Sequence, residues 1–482
     1  MTEIRTRFAP SPTGYIHVGN VRSALYPYFI ARQNKGEFVL RIEDTDQNRF
    51  VDGAEDLIID VLKWLNIDWD EGPTGDGTEK GNYGPYHQTK RRASYHEWAQ
   101  KLVDTGYAYA DPRSHGEIED LKKAAEQNHQ TFLYRNNRPN EYVEWDGTQP
   151  LRFKVKEPKR YSWHDEVMGD LSAGEDAVDD FIIMKSDGLP TYNFAHIVDD
   201  ALMHITHVIR GQEYISSMPK YLALYEALGL ERPTFAHLPH ILAPQGNKKL
   251  GKRDGAKSVS EYRDEGYLPE AMLNFLACLG WNDGTEQELF TKKELIEKFS
   301  FAHVQKSGAR FDEKRLQWMN AQWIKRLTTD ELLNRVDKFW GEHGKMVDDA
   351  RKKAVLAVVQ DRMKILNDLP SLSEYFFNRP TPDWDMVHGN KQLKKHDDAE
   401  LVELLQKAIA KLNDADFTSE EDLQARLNEL LVETEQKPMI LFSIIRFALT
   451  WAPFSPGLPE TMRLLGRDET LVRLNQAVEA SK

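Results

Sequence analysis

Near the N-terminus the apolar positions change period twice. TRFA is short and strand-like, VRSALYPYFIARQNKG carries apolar residues at helical spacing up to Gly36, where a cap is expected, and FVLRI reads as a second strand. Strand, helix, strand is a βαβ unit, so APSPTGYIHVGN, residues 9–20, is predicted to be the loop that leaves the first strand and enters the helix. In an open parallel sheet that loop lies at the ligand-binding edge, and the start of the helix offers unpaired N–H groups to an anion. A nucleotide site is the expectation.

Further along, strand-like and helical segments alternate to about residue 250, and the chain then reads as helical, as in LPEAMLNFLACLGW and AELVELLQKAIAKL. GPTGDGTEKGNYGPY (72–86) is a glycine-rich surface loop, and about 112–175 reads as an insertion of mixed short elements. The segments 181–200 and 204–214 are strand-like and are expected to resume the sheet. The run MILFSIIRFALTWAPF (439–454) is broken by Arg446 and too short for a membrane span, so it reads as a buried helix.

Composition narrows the classes. A chain of 482 residues with 40% hydrophobic positions makes several cores. The single cysteine, Cys278, excludes a disulfide framework, and MTEIRTRF lacks the features of a signal peptide, which points to the cytoplasm. A net charge of −14 argues against a nucleic-acid binder, yet basic clusters stand at 89–96, 154–164, 247–257 and 350–364. Each cluster alone reads as solvated surface.

The chemistry begins in the first loop. Its prolines stiffen the chain, Gly14 permits a tight turn, Gly19 lets a nucleotide approach the helix backbone, and His17 stands where it can donate to a phosphate. Far downstream, NKKLGKRDGAK places Lys249 and Lys252 on either side of a glycine, a spacing that can clamp the departing charge of a triphosphate. Arg7, Glu43 and Arg210 end strand-like segments and could converge at the loop edge of one sheet; read without context, they are ion pairs within it.

HVGN followed by KLGKR, in that order and at that distance, is the pairing of class I aminoacyl-tRNA synthetases. With FVLRIEDTDQNR, LKWLNIDWDEGP, DDFIIMKSDGLPTYNFAHIVDD, ITHVIRGQEY, GYLPEAMLNFLACLGW and FDEKRLQWMN, the chain resembles the bacterial-type glutamyl-tRNA synthetases over nearly its whole length. HVGN matches the "HIGH" signature with Asn20 in place of the last histidine, and Lys249 to Arg253 the "KMSKS" signature with Gly251 where a serine is usual.

The resemblance implies an α/β fold: a Rossmann-like parallel-sheet catalytic domain in two halves (1–111 and 179–258), an α+β acceptor-binding insertion (112–178), a stem-contact helical domain (259–325) and an all-helical anticodon-binding domain (326–482). It also implies two-step ligation of L-glutamate to tRNA(Glu) with ATP and Mg²⁺, by a monomer without a membrane anchor. His17, Lys249 and Lys252 would be catalytic, and Gly19, Asn20 and Glu213 would join them around ATP. Arg7 with Tyr192 would take the γ-carboxylate, Arg210 the α-carboxylate, and Glu43 with Ser11 the amino group, with Ala9 and His196 also among the glutamate-binding residues. Arg362 would read the third anticodon base. Relatives that bind zinc in the insertion use cysteines near GYAYADPRS, where this chain has Ala108 and Ala110, so no zinc is expected. The rivals are a glutaminyl enzyme, which would carry β-barrels in place of the helical tail; a shorter tail-less paralogue; a small nucleotidyltransferase; and a non-catalytic tRNA-binding protein. An enzyme that also charges tRNA(Gln) remains an alternative within the resemblance.

Overall fold

The computed structural model describes residues 3–14, 16–251, 257–452 and 454–481. The chain divides into two compact units, one of residues 1–262 and 272–312, the other of 263–271 and 313–482.

The first unit is built on a four-stranded parallel sheet. Its strands are β1 (Arg5–Phe8), β2 (Glu37–Leu40), β3 (His207–Gly211) and β4 (Thr234–Leu238), in the spatial order β2, β1, β3, β4. Helix α1 (Val18–Gln33) connects β1 to β2, as the change of period predicts. Every residue of β1 is buried, the usual condition of a parallel strand covered on both faces, so its two arginines need acid partners. Arg5 meets Glu71 and Arg7 meets Asp200. From β1 the chain continues to β2 on one side, and it returns much later as β3 on the other. The crevice beyond the carboxyl ends of β1 and β3 is therefore the topological switch point, where such sheets bind ligands.

Gly36 plays a different part from the expected cap. Lys35 adopts the left-handed conformation (φ 55°), and Gly36 donates its N–H to Ala31 at 2.8 Å. Glycine is needed at 36 because a Cβ there would lie 2.1 Å from the carbonyl oxygen of Ile4. A second correction concerns 181–200. Phe181–Met184 is a strand, but it joins an antiparallel sheet with Ala108–Ala110 and Leu151–Phe153 instead of extending the parallel one. The rest of the segment is helix α2 (Tyr192–Leu202), whose buried Phe194, Ala195, Ile197 and Val198 recur at helical spacing behind the N-cap Thr191. The loop at 72–86 contains a small hairpin, Gly72–Pro73 with Glu79–Lys80, and ends on the buried Tyr86.

Between β2 and β3 the chain also carries an antiparallel hairpin, Tyr161–Asp165 with Gly169–Ala173, and an exposed helix, His115–Gln127. Phe153, Phe194, Val198, Val208 and Phe235 belong to one hydrophobic core, so the parallel sheet, the antiparallel sheet and α2 fold around common side chains. Ala309–Arg310 pairs with Ile241–Leu242, an exception to the helical reading of the later chain. In the second unit, the helices Asp398–Leu412, Glu420–Thr434, Pro438–Thr450 and Arg467–Ala480 bury Leu404, Leu427, Ile444 and Leu474 together. Among the described residues, no helix is long and apolar enough to cross a membrane.

Candidate active site

Arg7 and Arg210 come from adjacent strands but stand in different electrostatic settings. Arg7 donates Nε and Nη2 to the two carboxylate oxygens of Asp200 at 3.1 and 3.3 Å. Asp200, on α2, also accepts from Nη1 of Arg41 at 2.8 Å. Burial alone would raise the Asp200 pKa, but the two guanidinium groups hold it well below the ordinary carboxylate range. Arg41, fully buried, donates Nη2 to Glu43 at 3.2 Å, so one buried chain of charges runs from Arg7 through Asp200 and Arg41 to Glu43.

Glu43 is only 6% exposed, and burial pushes its carboxyl up to about 7 against the pull of Arg41 and Arg7. Its backbone N–H donates to Pro10 at 3.0 Å, which lays the loop carrying Ala9 and Ser11 beside it. Ser11 itself is exposed. Arg210 makes no ion pair among the described residues; its nitrogens meet His237, His196 and Met218. Tyr192, the first residue of α2, stacks on His196 and Tyr214 at 4.8 and 5.1 Å, and it interacts electrostatically with both Glu43 and Arg210. The ion-pair reading thus holds for Arg7 and Glu43 but not for Arg210.

The loop after β1 leads into the start of α1, which organises a second group of side chains. His17 is the N-cap: Nδ1 accepts from Gly19 N–H at 3.0 Å, so the ring proton belongs on Nε2, and the Asn20 side chain accepts from the His17 N–H at 3.3 Å. Asn20 is therefore part of a capping box rather than a bystander. A hairpin-like turn, with Leu250 N–H to Ile241 at 2.8 Å and Ala243 N–H to Lys248 at 2.9 Å, carries Lys249 to the same place. There its Nζ donates to Glu213 at 2.8 Å. His17, Gly19, Asn20, Glu213 and Lys249 line one cavity of about 110 Å³, along with Arg22 and His240. Lys252 lies outside the described residues.

The family model for the class I tRNA synthetase (E and Q) catalytic domain matches residues 3–318, and that for an anticodon binding domain matches 331–478. The chain belongs to the class I tRNA synthetases of the E and Q group. It is 38% identical to a glutamate–tRNA ligase of Clostridium botulinum, covering 100% of this chain and 99% of the relative. Against one from Clostridium novyi it is 39% identical, covering 100% and 98%. Its fold matches the crystal structure of a glutamate tRNA ligase from Elizabethkingia meningosepticum in complex with its amino acid, with a TM-score of 0.87, 32% identity and full coverage of both chains. The glutamate–tRNA synthetase of Elizabethkingia anophelis matches with a TM-score of 0.84 at 33% identity, over 99% of this chain and 100% of that one.

In the second unit of the synthetase, Arg362 ends a short 3₁₀ turn, Gln360–Arg362, and is exposed. Arg446 and Tyr375 lie within its electrostatic reach, and Arg446 donates Nε to Ser455 at 2.9 Å. Two of the basic clusters contain structural members. Arg91 donates Nε to the fully buried Asp199 at 2.7 Å, and Arg351 reaches the carbonyls of Leu464 and Phe376 at 2.9 and 3.2 Å. Sequence reading missed Arg41, Asp200, Asp165 and His237. The one available signal was the acid pair ending the apolar run FAHIVDD, since acids inside such a run need buried cations.

Proposed function

We propose that this synthetase joins L-glutamate to tRNA(Glu), first forming glutamyl-adenylate from ATP and then transferring the glutamyl group to the terminal adenosine. The observation that carries the reading is the presence at one sheet edge of Arg210, which has no acid partner among the described residues, and of a buried carboxylate, Glu43, both within electrostatic reach of Tyr192. Such a site suits a ligand that carries a carboxylate and an ammonium close together, as an α-amino acid does. The names of the relatives support the same substrate. Arg7 with Tyr192 takes the γ-carboxylate, Arg210 the α-carboxylate, and Glu43, beside Ala9 and Ser11, the ammonium, with His196 in the wall.

At the other end, glutamate attacks the α-phosphate of ATP in line and pyrophosphate leaves; positioning and charge stabilisation supply most of the acceleration. The Nε2–H of His17 and the cations Lys249 and Lys252 stabilise the phosphates, Gly19 and Asn20 shape the helix start, and Glu213 parks Lys249 until ATP competes for it. Mg²⁺ enters with ATP. A lone cysteine offers no thiolate set for zinc, and it fits a reducing compartment, so we place the enzyme in the cytoplasm as a zinc-free monomer. The five segments bounded at 111, 178, 258 and 325 are our functional division, with Arg362 at the anticodon. ATP–pyrophosphate exchange in the presence of tRNA(Glu) tests the reading: glutamate should support exchange and glutamine should not. No exchange with glutamate, or equal exchange with glutamine, refutes it.

A further inference from the structure

Among the described residues, Arg210 is held by uncharged groups, the Tyr192 side chain among them. Nε donates to Nε2 of His237 at 3.2 Å, Nη1 donates to Nε2 of His196 at 3.3 Å, and Nη2 faces the Met218 sulfur at 3.1 Å. The guanidinium lies over the rings of Tyr214 and Tyr221, at 5.0 and 4.6 Å from their centroids. An imidazole nitrogen can accept in this way only if the ring's other nitrogen carries the proton. Both rings have a fixed acceptor on that side. His237 donates Nδ1–H to Asp165 at 2.6 Å, and His196 donates Nδ1–H to the Tyr192 carbonyl at 2.7 Å.

The placement of His237 follows from the fold. Arg210 on β3 and His237 on β4 are register partners, so their side chains leave the sheet on the same face. The first strand of the hairpin, Tyr161–Asp165, ends at Asp165, and one carboxylate oxygen of Asp165 is pinned by the N–H groups of Val167, Met168 and His237 at 3.1, 2.9 and 3.2 Å. That leaves the other oxygen for the imidazole. Both His237 and Asp165 side chains are fully buried.

We propose that His237, locked as its Nδ1–H form by Asp165, is a positioning residue that aims Arg210 at a carboxylate of the amino-acid substrate without neutralising the guanidinium. The inference rests on reading Arg210 as a ligand of glutamate. A carboxylate in the place of His237 would orient the arginine equally well but would compete with the substrate for its charge, as Asp200 does at Arg7. A neutral imidazole orients without competing. Burial, assisted by the Arg210 charge, keeps both histidines below their ordinary pKa range and so in the accepting form.

The test contrasts two substitutions at the same buried position. His237→Phe keeps the ring volume and removes the acceptor; His237→Gln loses ring volume and restores an acceptor near Nε2. In pyrophosphate exchange, the Phe variant should raise the glutamate KM about 10- to 100-fold, the span of a hydrogen bond to a charged group. The ATP KM should not move, and the Gln variant should recover most of the loss. A packing role demands the reverse order, with Phe nearer to wild type than Gln, and that result overturns the proposal. Arg210→Lys separates the two layers. If it raises the glutamate KM while both His237 variants match wild type, only the positioning role falls; if it leaves the glutamate KM unchanged, the reading of Arg210 falls and takes His237 with it. Should the Phe variant not fold, nitrogen-15 NMR of the wild-type histidines at pH 7 decides the matter: a neutral Nδ1–H ring at His237 is expected, and an Nε2–H or doubly protonated ring overturns the proposal.

Discussion

Replacing Glu43 by glutamine should make the unliganded enzyme more stable at pH 8 while weakening its hold on glutamate. In the fold, burial raises this carboxyl from an ordinary 4.5 to about 7, although Arg41 lies 3.2 Å away and Arg7 also attracts it. Below pH 4.5 the group is protonated both folded and unfolded, and it contributes no difference. Between 4.5 and 7 the unfolded chain releases the proton that the folded one keeps, so the stability contribution falls as pH rises and stays low above 7. At about 1.4 kcal/mol per pH decade the full cost is about 3 kcal/mol. Glutamine imitates the protonated carboxyl. Urea unfolding of wild type and Glu43→Gln should therefore coincide near pH 4 and differ by about 3 kcal/mol at pH 8, with the variant the more stable. The same variant lacks the charge that we assign to the substrate ammonium, so its glutamate KM should rise. A variant less stable than wild type at pH 8, or a stability difference that does not change with pH, would refute the account of Glu43 as a carboxylate whose burial outweighs the pull of its arginines.

The other predictions concern phosphate and tRNA. Lys249→Ala should slow adenylate formation about 10²- to 10³-fold, as loss of one transition-state donor does, with little change in glutamate binding; the same holds for Lys252→Ala. Single-turnover rates equal to wild type would remove the lysines from the chemistry. Affinity for tRNA should fall steeply with salt despite the net charge of −14, with a log–log slope of roughly −5 for about six phosphate contacts; a flat dependence excludes basic stripes. Arg362→Gln should change the ratio of kcat/KM on tRNA(Glu) and tRNA(Gln), because a guanidinium favours an acceptor edge by about 1 to 3 kcal/mol; an unchanged ratio assigns Arg362 to another role.

Local signals made the first βαβ unit legible: a short apolar strand, a helical stripe and a loop of glycine and proline, all within reach of one another in sequence. His17 and Lys249 were readable for the same reason, since each sits in a compact motif, and the cavity they share joins two motifs that the chain keeps far apart. Helix α2 was misread because its polar positions, His196, Asp199 and Asp200, are themselves buried and leave no solvent face to reveal the period. The partners of the site arginines were invisible for a related reason. Asp200 lies 193 residues from Arg7, and Asp165 lies 72 from His237, so only the packed sheet brings each pair together. A sequence shows which charges are present, but it does not show which are already paired. Arg7 and Arg210 look alike in the sequence, yet Arg7 shares Asp200 with Arg41, while Arg210 makes no ion pair among the described residues.

The central claim is that this sheet edge activates glutamate and hands it to tRNA. The most direct test is aminoacylation of purified tRNA(Glu) with labelled glutamate and ATP, following AMP release in parallel. The account predicts ATP-dependent charging with one AMP formed per glutamyl-tRNA, lost when the terminal ribose of the tRNA is oxidised. Absence of charging under these conditions, or charging with glutamine in preference to glutamate, would contradict it.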